Sequence, residues 1–391
     1  MNLHIMKDNK FYDGMTEEII SRGLINNNIY FVYKGSKGCL RYMKEYPNSI
    51  YGDSEDLYKI NLSDYDKVIF HNLMDPSWRK YLSIQGRIKG SCKIYWRLWQ
   101  GDNYAIAGLA NIMTKPLWAN HSQIHDNDKD FVVSLESCTN ILKNIRARIR
   151  YRHKYRIICQ ALENVDYALN WNEFEVDAIR ELYSVFNAQF LYHAYHTSEL
   201  YNDVGGYADE VNKELRVCVG HSGDGTFLNH EQVFMAIRKI LDINDTNFRV
   251  VTPLSYGNTK YIDHVLRMGQ SLFGQYFEPI LDFMEYPDYM KLLSQCDVFV
   301  FGQKYIPCAE GNISAVLKMG KRVIMPSTNP MYRMYIDDGV CIFDLDELIS
   351  GNHRLLESLP EDIKQSNINR MRTRYELMKS IRLKTLMEII T

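Results

Sequence analysis

The sequence lacks the features that mark a secreted, zinc-binding or membrane-spanning chain. Its eight cysteines are scattered without a C-x-x-C pair, and several lie inside apolar runs, where a reduced thiol packs as a small hydrophobic group. The first residues, MNLHIMKDNKFYDG, contain no apolar core of signal-peptide length. Nowhere do about eighteen apolar residues follow one another, as a membrane-spanning helix would need. We therefore expect reduced cysteines in a cytoplasmic protein, no zinc site and no spanning segment.

Neither sign of charge dominates, and no internal repeat or low-complexity linker interrupts the chain. Lys plus Arg number 46 against 48 Asp plus Glu, so the overall charge does not indicate a nucleic-acid partner. The 391 residues exceed the usual size of a single hydrophobic core. We therefore expect two domains and no nucleic-acid binding.

Short apolar runs alternate with helical patterns along the whole chain. The strand candidates of the first half are NLHIM, IYFVY, DKVIFH, KIYWRLW and DYALN. Those of the second half are separated by helix-sized segments and are LRVCVG, FRVVTPL, PILDF, DVFVFG, KRVIMP and GVCIF. The alternation predicts the α/β class, with parallel sheets that carry helices on both faces.

The domain boundary is expected in the polar, glycine-bearing stretch NDVGGYADEVNK, residues 202–213. We predict an N-terminal domain over residues 1–205 and a C-terminal domain over residues 206–360. Residues 361–391 form a helical stretch with no strand after it, which we expect to pack back on the N-terminal domain.

The segment HSGDGTFLNHEQ, residues 221–232, joins a predicted strand to a predicted helix, with Asn229 as the N-cap and Gln232 three residues later. In a parallel sheet such a turn lies at the carboxyl edge, and Gly223 lets backbone amides approach a phosphate closely. Ser222 can donate a hydrogen bond, and Asp224 can accept one from a sugar or a base. The alternative is a tight turn without a ligand.

A second loop has the same character. In CAEGNISAVLKMGKRVIMP, a helix begins near Glu310, Gly311 and Asn312. A diphosphate can lie at the helix N-terminus while Glu310 accepts from sugar hydroxyls. The alternative is that Glu310 offsets the helix dipole and Asn312 caps the helix. Two such loops in one domain favour a nucleotide ligand.

The order of strand, acidic and glycine-bearing loop, helix and glycine resembles the nucleotide-sugar-binding domains of GT-B glycosyltransferases. The segments YWRLWQGDNY, CVGHSGDGTFLNH, PLSYGNTKYIDHV, DYMKLLSQCDVFVFG and STNPMY resemble, in the same order, blocks of the bacterial dTDP-N-acetylfucosamine:lipid II N-acetylfucosaminyltransferase family. That family works in enterobacterial common antigen assembly. The resemblance covers most of residues 90–345.

The resemblance implies two Rossmann-like domains that face a central cleft, the first for the acceptor and the second for the nucleotide-sugar. It implies transfer of a deoxy-amino sugar from a nucleotide diphosphate, with a dTDP-sugar favoured, to a polyprenyl-diphosphate-linked saccharide. It also adds Tyr256 to the donor-binding residues.

Three Asp-x-Asp sequences begin at Asp64, Asp126 and Asp344. Asp64 precedes a strand, Asp126 is expected in a charged loop, and Asp344 lies at the tail of the last strand, so none recreates the metal-chelating arrangement of the other main transferase fold. We expect no metal and no cofactor, with amides and a basic side chain neutralising the diphosphate. Retaining GT-B enzymes often pair two glutamates eight positions apart, whereas Glu310 is followed at that distance by Lys318. We therefore expect inversion, as in the resembling family.

Inversion requires a general base that takes the proton of the acceptor hydroxyl. Asp102 follows the strand KIYWRLW and is the first candidate, and His71, which closes DKVIFH, is its rival. The alternatives are a helix cap for Asp102 and a structural histidine for His71. Arg97 is a candidate diphosphate partner. A tryptophan of the pair Trp96 and Trp99 can stack on a sugar, but core packing is the commoner role.

A basic segment, LKNIRARIRYRHKYR, carries seven Lys or Arg residues between Lys143 and Arg156 and no acid. Ile141, Ile145 and Ile149 recur every four residues, which predicts an amphipathic helix that can lie on anionic lipid. The lipid-linked acceptor that the resemblance implies places this helix at the cytoplasmic face of the bacterial inner membrane. The predicted membrane-binding residues are Arg146, Arg148, Arg150, Arg152, Lys154 and Arg156. The alternatives are a solvated basic face and a nucleic-acid patch.

Two other functions stay open. A nucleotide-sugar 2-epimerase of the same fold acts on soluble substrates and does not need the basic helix. A noncatalytic nucleotide-sugar-binding or lipid-binding module binds a ligand without turnover.

Overall fold

Each of two units of the chain is built around its own parallel sheet. The computed structural model describes residues 1–8, 12–33, 40, 43–73, 75–98, 106, 109–110, 113–114, 121–127, 130–138, 141–193, 214–241, 247–304 and 307–391. The first unit comprises Met1–Thr197 and Met378–Thr391, and the second comprises Ser198–Leu377. The predicted boundary at residues 205 and 206 lies outside the described residues, and the roles assigned to the two domains stay predictions.

The strands of the first unit are β1 (Asn2–Lys7), β2 (Asn28–Tyr33), β3 (Ser49–Gly52), β4 (Lys67–Phe70), β5 (Lys93–Arg97), β6 (His121–Asn127), β7 (Asp130–Cys138), β8 (Tyr167–Asn170) and β9 (Gln189–Tyr192). Seven of them form one parallel sheet in the order β3-β2-β1-β4-β5-β8-β9, and β6 and β7 form a separate antiparallel hairpin. The carboxyl ends of the seven strands therefore lie along one edge.

Among the described residues, the α-helices of this unit are α1 (Tyr12–Ser21), α2 (Ser54–Leu57), α3 (Pro76–Gln85), α4 (Ile141–Leu162) and α5 (Glu173–Leu182). Helix α3 begins with proline at its first position, after Asp75, whose carboxylate accepts from the Ser77 amide. One face of the sheet packs against Trp78 and Tyr81 of α3. The other face packs against α1 and against the chain's last residues, including Leu386 and Ile389.

The strands of the second unit are β10 (Leu215–Val219), β11 (Phe248–Pro253), β12 (Phe277–Ile280), β13 (Val298–Val300), β14 (Arg322–Met325) and β15 (Phe343–Asp344). Their order is β12-β11-β10-β13-β14-β15, and all pairs are parallel. The strand order changes direction between β10 and β13. Ligands of open α/β sheets bind at such a switch point, beyond the carboxyl ends of the strands.

In the described part of the remaining chain, the α-helices are α6 (His230–Ile240), α7 (Thr259–Phe273), α8 (Tyr286–Ser294), α9 (Glu310–Lys318), α10 (Pro330–Asp337), α11 (Leu345–Ser350) and α12 (Glu361–Ile390). Val233, Phe234 and Ile237 recur at helical spacing on α6 and are buried against the sheet, together with Phe273 of α7. Helix α12 begins in the second unit and ends in the first.

The structure differs from the sequence prediction at the sheet edges and in one loop. Strands β3 and β9 were not predicted, nor was the β6–β7 hairpin, and Asp126 lies in β6 rather than in a loop. The predicted strand PILDF, residues 279–283, is shifted, because β12 ends at Ile280 and the residues that follow are exposed. In GVCIF, Phe343 alone belongs to β15, since the ladder with β14 starts there.

Candidate functional site

Loops at the carboxyl edge of the second sheet bring most of the predicted donor-binding residues together. The loop after β10 needs glycine for close packing. Gly220 has φ +71°, and a Cβ there would lie 2.4 Å from Nε2 of His230. A Cβ on Gly223 would lie 2.2 Å from Cγ1 of Ile262. The glycines therefore let this loop lie directly against the helices behind it.

The loops after β10 and β11 are joined by backbone hydrogen bonds. The amide of Gly223 donates to the carbonyl of Tyr256 at 2.9 Å, and the amide of Asn258 donates to the carbonyl of Gly223 at 2.9 Å. Gly257 has φ +130°, and a Cβ there would come within 2.2 Å of the Gly223 carbonyl carbon. The loops after β10 and β11 thus form a single backbone surface.

Polar side chains from three loops meet on this surface. Ser222 is buried, and its hydroxyl donates to Asp224 Oδ2 at 3.1 Å. Burial and the neighbouring Asp224 raise the pKa of Tyr256, although about half of that residue is exposed. Burial, with Asp224 next in importance, raises the pKa of Cys308 to about 12. Asp224 therefore lies within electrostatic reach of both Tyr256 and Cys308.

Two helices point uncapped N-termini toward the same edge. Helices α6 and α9 follow the neighbouring strands β10 and β13. The residues before them, Asn229 and Ala309, have left-handed backbones with φ 56° and 67°, and neither side chain caps its helix. Helix N-termini carry partial positive charge and unpaired amides, so two side by side favour an anion.

The predicted capping arrangements are wrong at both helices. Asn229 stands at the N-cap position, but its side-chain amide donates to Gln232 Oε1 at 2.8 Å, because the left-handed backbone turns its side chain away from the helix amides. Asn312 is the third residue of α9 and does not cap it. Its amide nitrogen donates to the hydroxyl of Tyr289 at 3.1 Å.

Glu310 is the first residue of α9, followed by Gly311. Burial raises the pKa of the Glu310 carboxyl, and the nearby cations Arg374 and Lys318 oppose that shift. A partly enclosed carboxylate at a helix start can accept hydrogen bonds from hydroxyl groups. The effect of Arg374, in α12, on the pKa of Glu310 could not be predicted from the sequence, because 64 positions separate the two residues.

The first unit brings two predicted residues, His71 and Arg97, to the carboxyl edge of its sheet, together with His193, which the sequence did not predict. His71 directly follows β4, Arg97 ends β5 and His193 directly follows β9, and all three are buried. His71 Nε2 lies 3.0 Å from Nδ1 of His4, and His4 Nε2 lies 2.9 Å from Oδ1 of Asn28. Sequence reasoning missed His4 and Asn28, which lie inside apolar strand patterns.

These contacts assign the protons of both imidazoles. The Asn28 amide nitrogen donates to the carbonyls of Leu24 and Ile390, so its Oδ1 is an acceptor and His4 Nε2 donates to it. His71 Nε2 then donates to His4 Nδ1. Burial lowers the pKa of His4 to about 4, and burial, His4 and Arg97 lower that of His71 well below its ordinary value. Both rings are therefore neutral at pH 7, and His71 is a weak base.

Part of the predicted catalytic segment lies outside the described residues. This holds for Asp102 and Trp99. Trp96 is described and is fully buried, with its ring edge-on to Phe186 at 5.6 Å between centroids. Trp96 is therefore a core residue and not a surface for sugar stacking.

The basic segment forms helix α4, which has one buried and one exposed face. Tyr151 and Ile158 are buried in the core of the first unit. The exposed face carries apolar side chains, of which Leu142 and Ile149 are 68% and 73% exposed. The basic residues on it are Arg146, Arg150, Arg152, Lys154 and Arg156, whereas Arg148 is half-buried. In the part of the chain that the structure describes, no helix combines the length and apolarity needed to cross a bilayer.

A sequence profile of the family described as 4-alpha-L-fucosyltransferase, glycosyl transferase group 56, matches residues 145–363. The match includes both loops of the second sheet and most of α4. No curated protein matches the chain.

Solved structures resemble the chain over its whole length. WaaG, a glycosyltransferase involved in lipopolysaccharide biosynthesis, aligns with a TM-score of 0.58 and 11% identity, covering 100% of both chains. Trehalose-6-phosphate from E. coli bound with UDP-2-fluoro glucose aligns with a TM-score of 0.62 and 10% identity, covering 100% of this chain and 99% of that one. Anabaena HepE in complex with UDP and glucose aligns with a TM-score of 0.57 and 10% identity, covering 100% of this chain and 99% of that one. These likenesses confirm the predicted α/β class with two Rossmann-like units of the GT-B type.

Proposed function

The chain belongs to the glycosyl transferase group 56 family of 4-alpha-L-fucosyltransferases and is a glycosyltransferase, and we propose that it moves a deoxy-amino sugar from a nucleotide diphosphate to a polyprenyl-diphosphate-linked saccharide. The donor favoured is a dTDP-sugar, and the reaction serves bacterial surface polysaccharide synthesis. The involvement of WaaG in lipopolysaccharide biosynthesis and the uridine nucleotides bound by the E. coli and Anabaena proteins support this proposal by analogy of fold.

The observation that carries the proposal is the pair of uncapped helix N-termini at the switch point of the second sheet. The amides of α6 and α9 would neutralise the leaving diphosphate in place of a metal ion. Ser222 and the Gly223 backbone would lie against the phosphates. Asp224, Tyr256 and the pair Glu310 and Asn312 would bind hydroxyl or base groups, with Gly311 allowing close approach.

Inverting transfer needs a base beside the acceptor hydroxyl, and we assign that role to Asp102 on its position after β5. The lowered pKa of His71 favours Asp102 over His71 as the base, because a general base works best with a pKa near the working pH. His71 stays the alternative. Arg97, at the end of β5, is proposed as a diphosphate partner.

Helix α4 is proposed to hold the enzyme peripherally on the cytoplasmic face of the inner membrane, where a lipid-linked acceptor presents its sugar. Its exposed face combines Leu142, Ile145 and Ile149 with basic side chains, the combination that binds anionic lipid surfaces. Arg146, Arg150, Arg152 and Arg156 form no ion pair with any described residue, so their charges are available to lipid headgroups.

A panel of nucleotide-sugars, with and without a polyprenyl-linked acceptor, tests the proposal. We expect sugar transfer that requires the acceptor. Isomerisation of the nucleotide-sugar without acceptor would instead indicate a 2-epimerase, and binding without turnover a noncatalytic module. Either outcome would contradict the proposed transfer.

A further inference from the structure

The described residues of the loop between β13 and α9, 301–304 and 307–309, are linked by an internal hydrogen bond, and we call them the donor loop. Gln303 in this loop is fully buried, and its Nε2 donates to the carbonyl of Cys308 at 3.1 Å. The bond spans the loop from its start to its end. Cys308 is followed directly by Ala309, whose left-handed backbone leads into α9.

A second set of bonds fixes the donor loop to the start of α10. Asn329 is 1% exposed, and its Oδ1 accepts from the amide of Met331 at 2.9 Å, which caps the helix. Its Nδ2 donates to the carbonyl of Gln303 at 2.8 Å. The neighbouring Thr328 hydroxyl donates to the carbonyl of Lys304 at 3.1 Å.

Capping alone does not explain an asparagine at position 329. A cap needs one acceptor oxygen, which Asp, Ser or Thr supplies equally well. Asparagine differs from these residues because its side chain also carries an amide donor. That donor bonds to the donor loop and not to α10. Gln303 likewise places its amide in a dry interior, where a hydrogen bond is strong and its loss is costly.

The non-glycine backbone at Ala309 makes such support necessary. A left-handed alanine is strained, and strained residues persist where the surrounding structure over-determines them. Contacts run from Asn329 through Gln303 to Cys308 and so to the residue that sets the direction of α9.

We propose that Asn329 and Gln303 are positioning residues that hold the N-terminus of α9, with Glu310 and Asn312, in place for the nucleotide-sugar. The inference rests on the proposed donor site. It gives the STNP segment a role in donor binding without contact between Asn329 and the donor.

The test compares variants that keep the helix cap and remove the support. Asn329→Asp retains an oxygen for the Met331 amide but turns a carboxylate oxygen toward the Gln303 carbonyl. Gln303→Met keeps the volume and removes the bond to Cys308. Calorimetry with dTDP and UDP, using the tighter ligand of the wild type, is expected to show affinity about tenfold to a hundredfold weaker in both variants. The melting temperature is expected to fall in both variants, because each loses a buried hydrogen bond. The KM for the lipid-linked acceptor is expected to stay near wild type.

Asn61→Asp is the matched control. Asn61 also caps a short helix, but it lies in the first unit, before the amino end of β4. Its donor affinity should equal that of the wild type. Lowering the pH from about 8 to about 6 supplies a further readout, since a buried carboxyl facing a carbonyl has a raised pKa and regains an O–H donor on protonation. Donor affinity of Asn329→Asp should then recover, which loss of a cap alone would not produce.

Wild-type affinity in folded Asn329→Asp and Gln303→Met would overturn the positioning role and leave the donor site intact. If Asn329→Asp fails to fold, Gln303→Met decides the question by the same criterion. Failure of the wild type to bind either nucleotide would overturn the proposed function and this inference with it.

Discussion

Single residues at the start of α9 decide how the proposed donor site would hold its ligand. Glu310 and Asn312 occupy the first turn, beside a backbone that only a few non-glycine residues adopt. Asn312 is held by Tyr289, and the carboxyl of Glu310 is balanced between burial and nearby cations. The Asn312 side chain therefore has a restrained position before a ligand arrives, which lowers the entropy lost on binding.

Removing both side chains tests their role. The double variant Glu310→Ala, Asn312→Ala is expected to bind nucleotide-sugar about tenfold to a hundredfold more weakly, because two hydrogen-bonding groups are lost. Calorimetry provides the measurement. Replacing Glu361 and Gln365, an exposed hydrogen-bonded pair at the start of α12, is the matched control. Unchanged affinity in the folded double variant would remove these residues from the donor site.

Asp102 is the residue on which turnover is predicted to depend most. Asp102→Asn is expected to keep donor binding and lose about a hundredfold to ten-thousandfold in kcat, since the amide cannot accept the acceptor's proton. Single-turnover transfer measures the effect. Asp64→Asn changes an exposed carboxylate of an Asp-x-Asp sequence and should leave kcat unaltered. Near-normal turnover of Asp102→Asn would transfer the role to His71.

Elements in the middle of each sheet could be predicted from the sequence, whereas those at the edges could not. Strands such as β1, β4 and β13 are buried on both faces and read as continuous apolar runs. The outer strands β3 and β9 are short and half-buried, so their apolar pattern is weak. The same limit applies to the site. Glycine and acidic residues made two of the loops predictable. Tyr289, Cys308 and Gln303 could not be predicted, because their roles depend on contacts that no local sequence spacing indicates.

Helix α4 is the element on which membrane association is predicted to depend. Reversing the charges of Arg146, Arg150 and Lys154 to Glu is expected to release the protein from anionic liposomes and to slow transfer to lipid-linked acceptor, while donor binding is unchanged. Each basic residue near the surface contributes about 1 kcal/mol of attraction. Liposome co-sedimentation at increasing salt measures the effect, and wild-type binding should fall as screening shortens the reach of the charges to roughly 10 Å at 0.1 M.

The matched control for α4 reverses Arg87, Lys93 and Lys384, which are exposed cations elsewhere in the first unit. These changes alter net charge equally and should leave liposome binding intact. Binding that is insensitive to salt, or absent in the wild type, would make α4 an ordinary solvated helix.

At the scale of the whole molecule, buried histidines make stability depend on pH. Burial lowers the pKa of His4 and His221 to about 4 and that of His230 to about 3. At pH values between the ordinary histidine pKa of 6.5 and these lowered values, the histidines bind protons in the unfolded chain but not in the folded chain. Stability is therefore full above pH 6.5 and falls as the pH drops toward 4, by on the order of 3 kcal/mol for His4 alone. Urea unfolding at a series of pH values measures this loss.

Variants separate buried from exposed histidines. His230→Gln is expected to flatten the pH dependence between 6.5 and 3, whatever its effect on stability at neutral pH. His153→Gln, which changes an exposed ring of α4, is the matched control, and its profile should follow the wild type. A wild-type unfolding free energy that does not change over this range would contradict the prediction.

The first unit draws its core from both ends of the chain, and this has a consequence for biosynthesis. Leu386 and Ile389 cover the sheet face that also buries Met6, Tyr12 and Ile19. A ribosome makes residues 198–377 before it reaches them, so the second unit has all its residues while the first still lacks part of its covering. The unit that is begun first is therefore the one that is completed last, and its apolar face is uncovered throughout translation of the other.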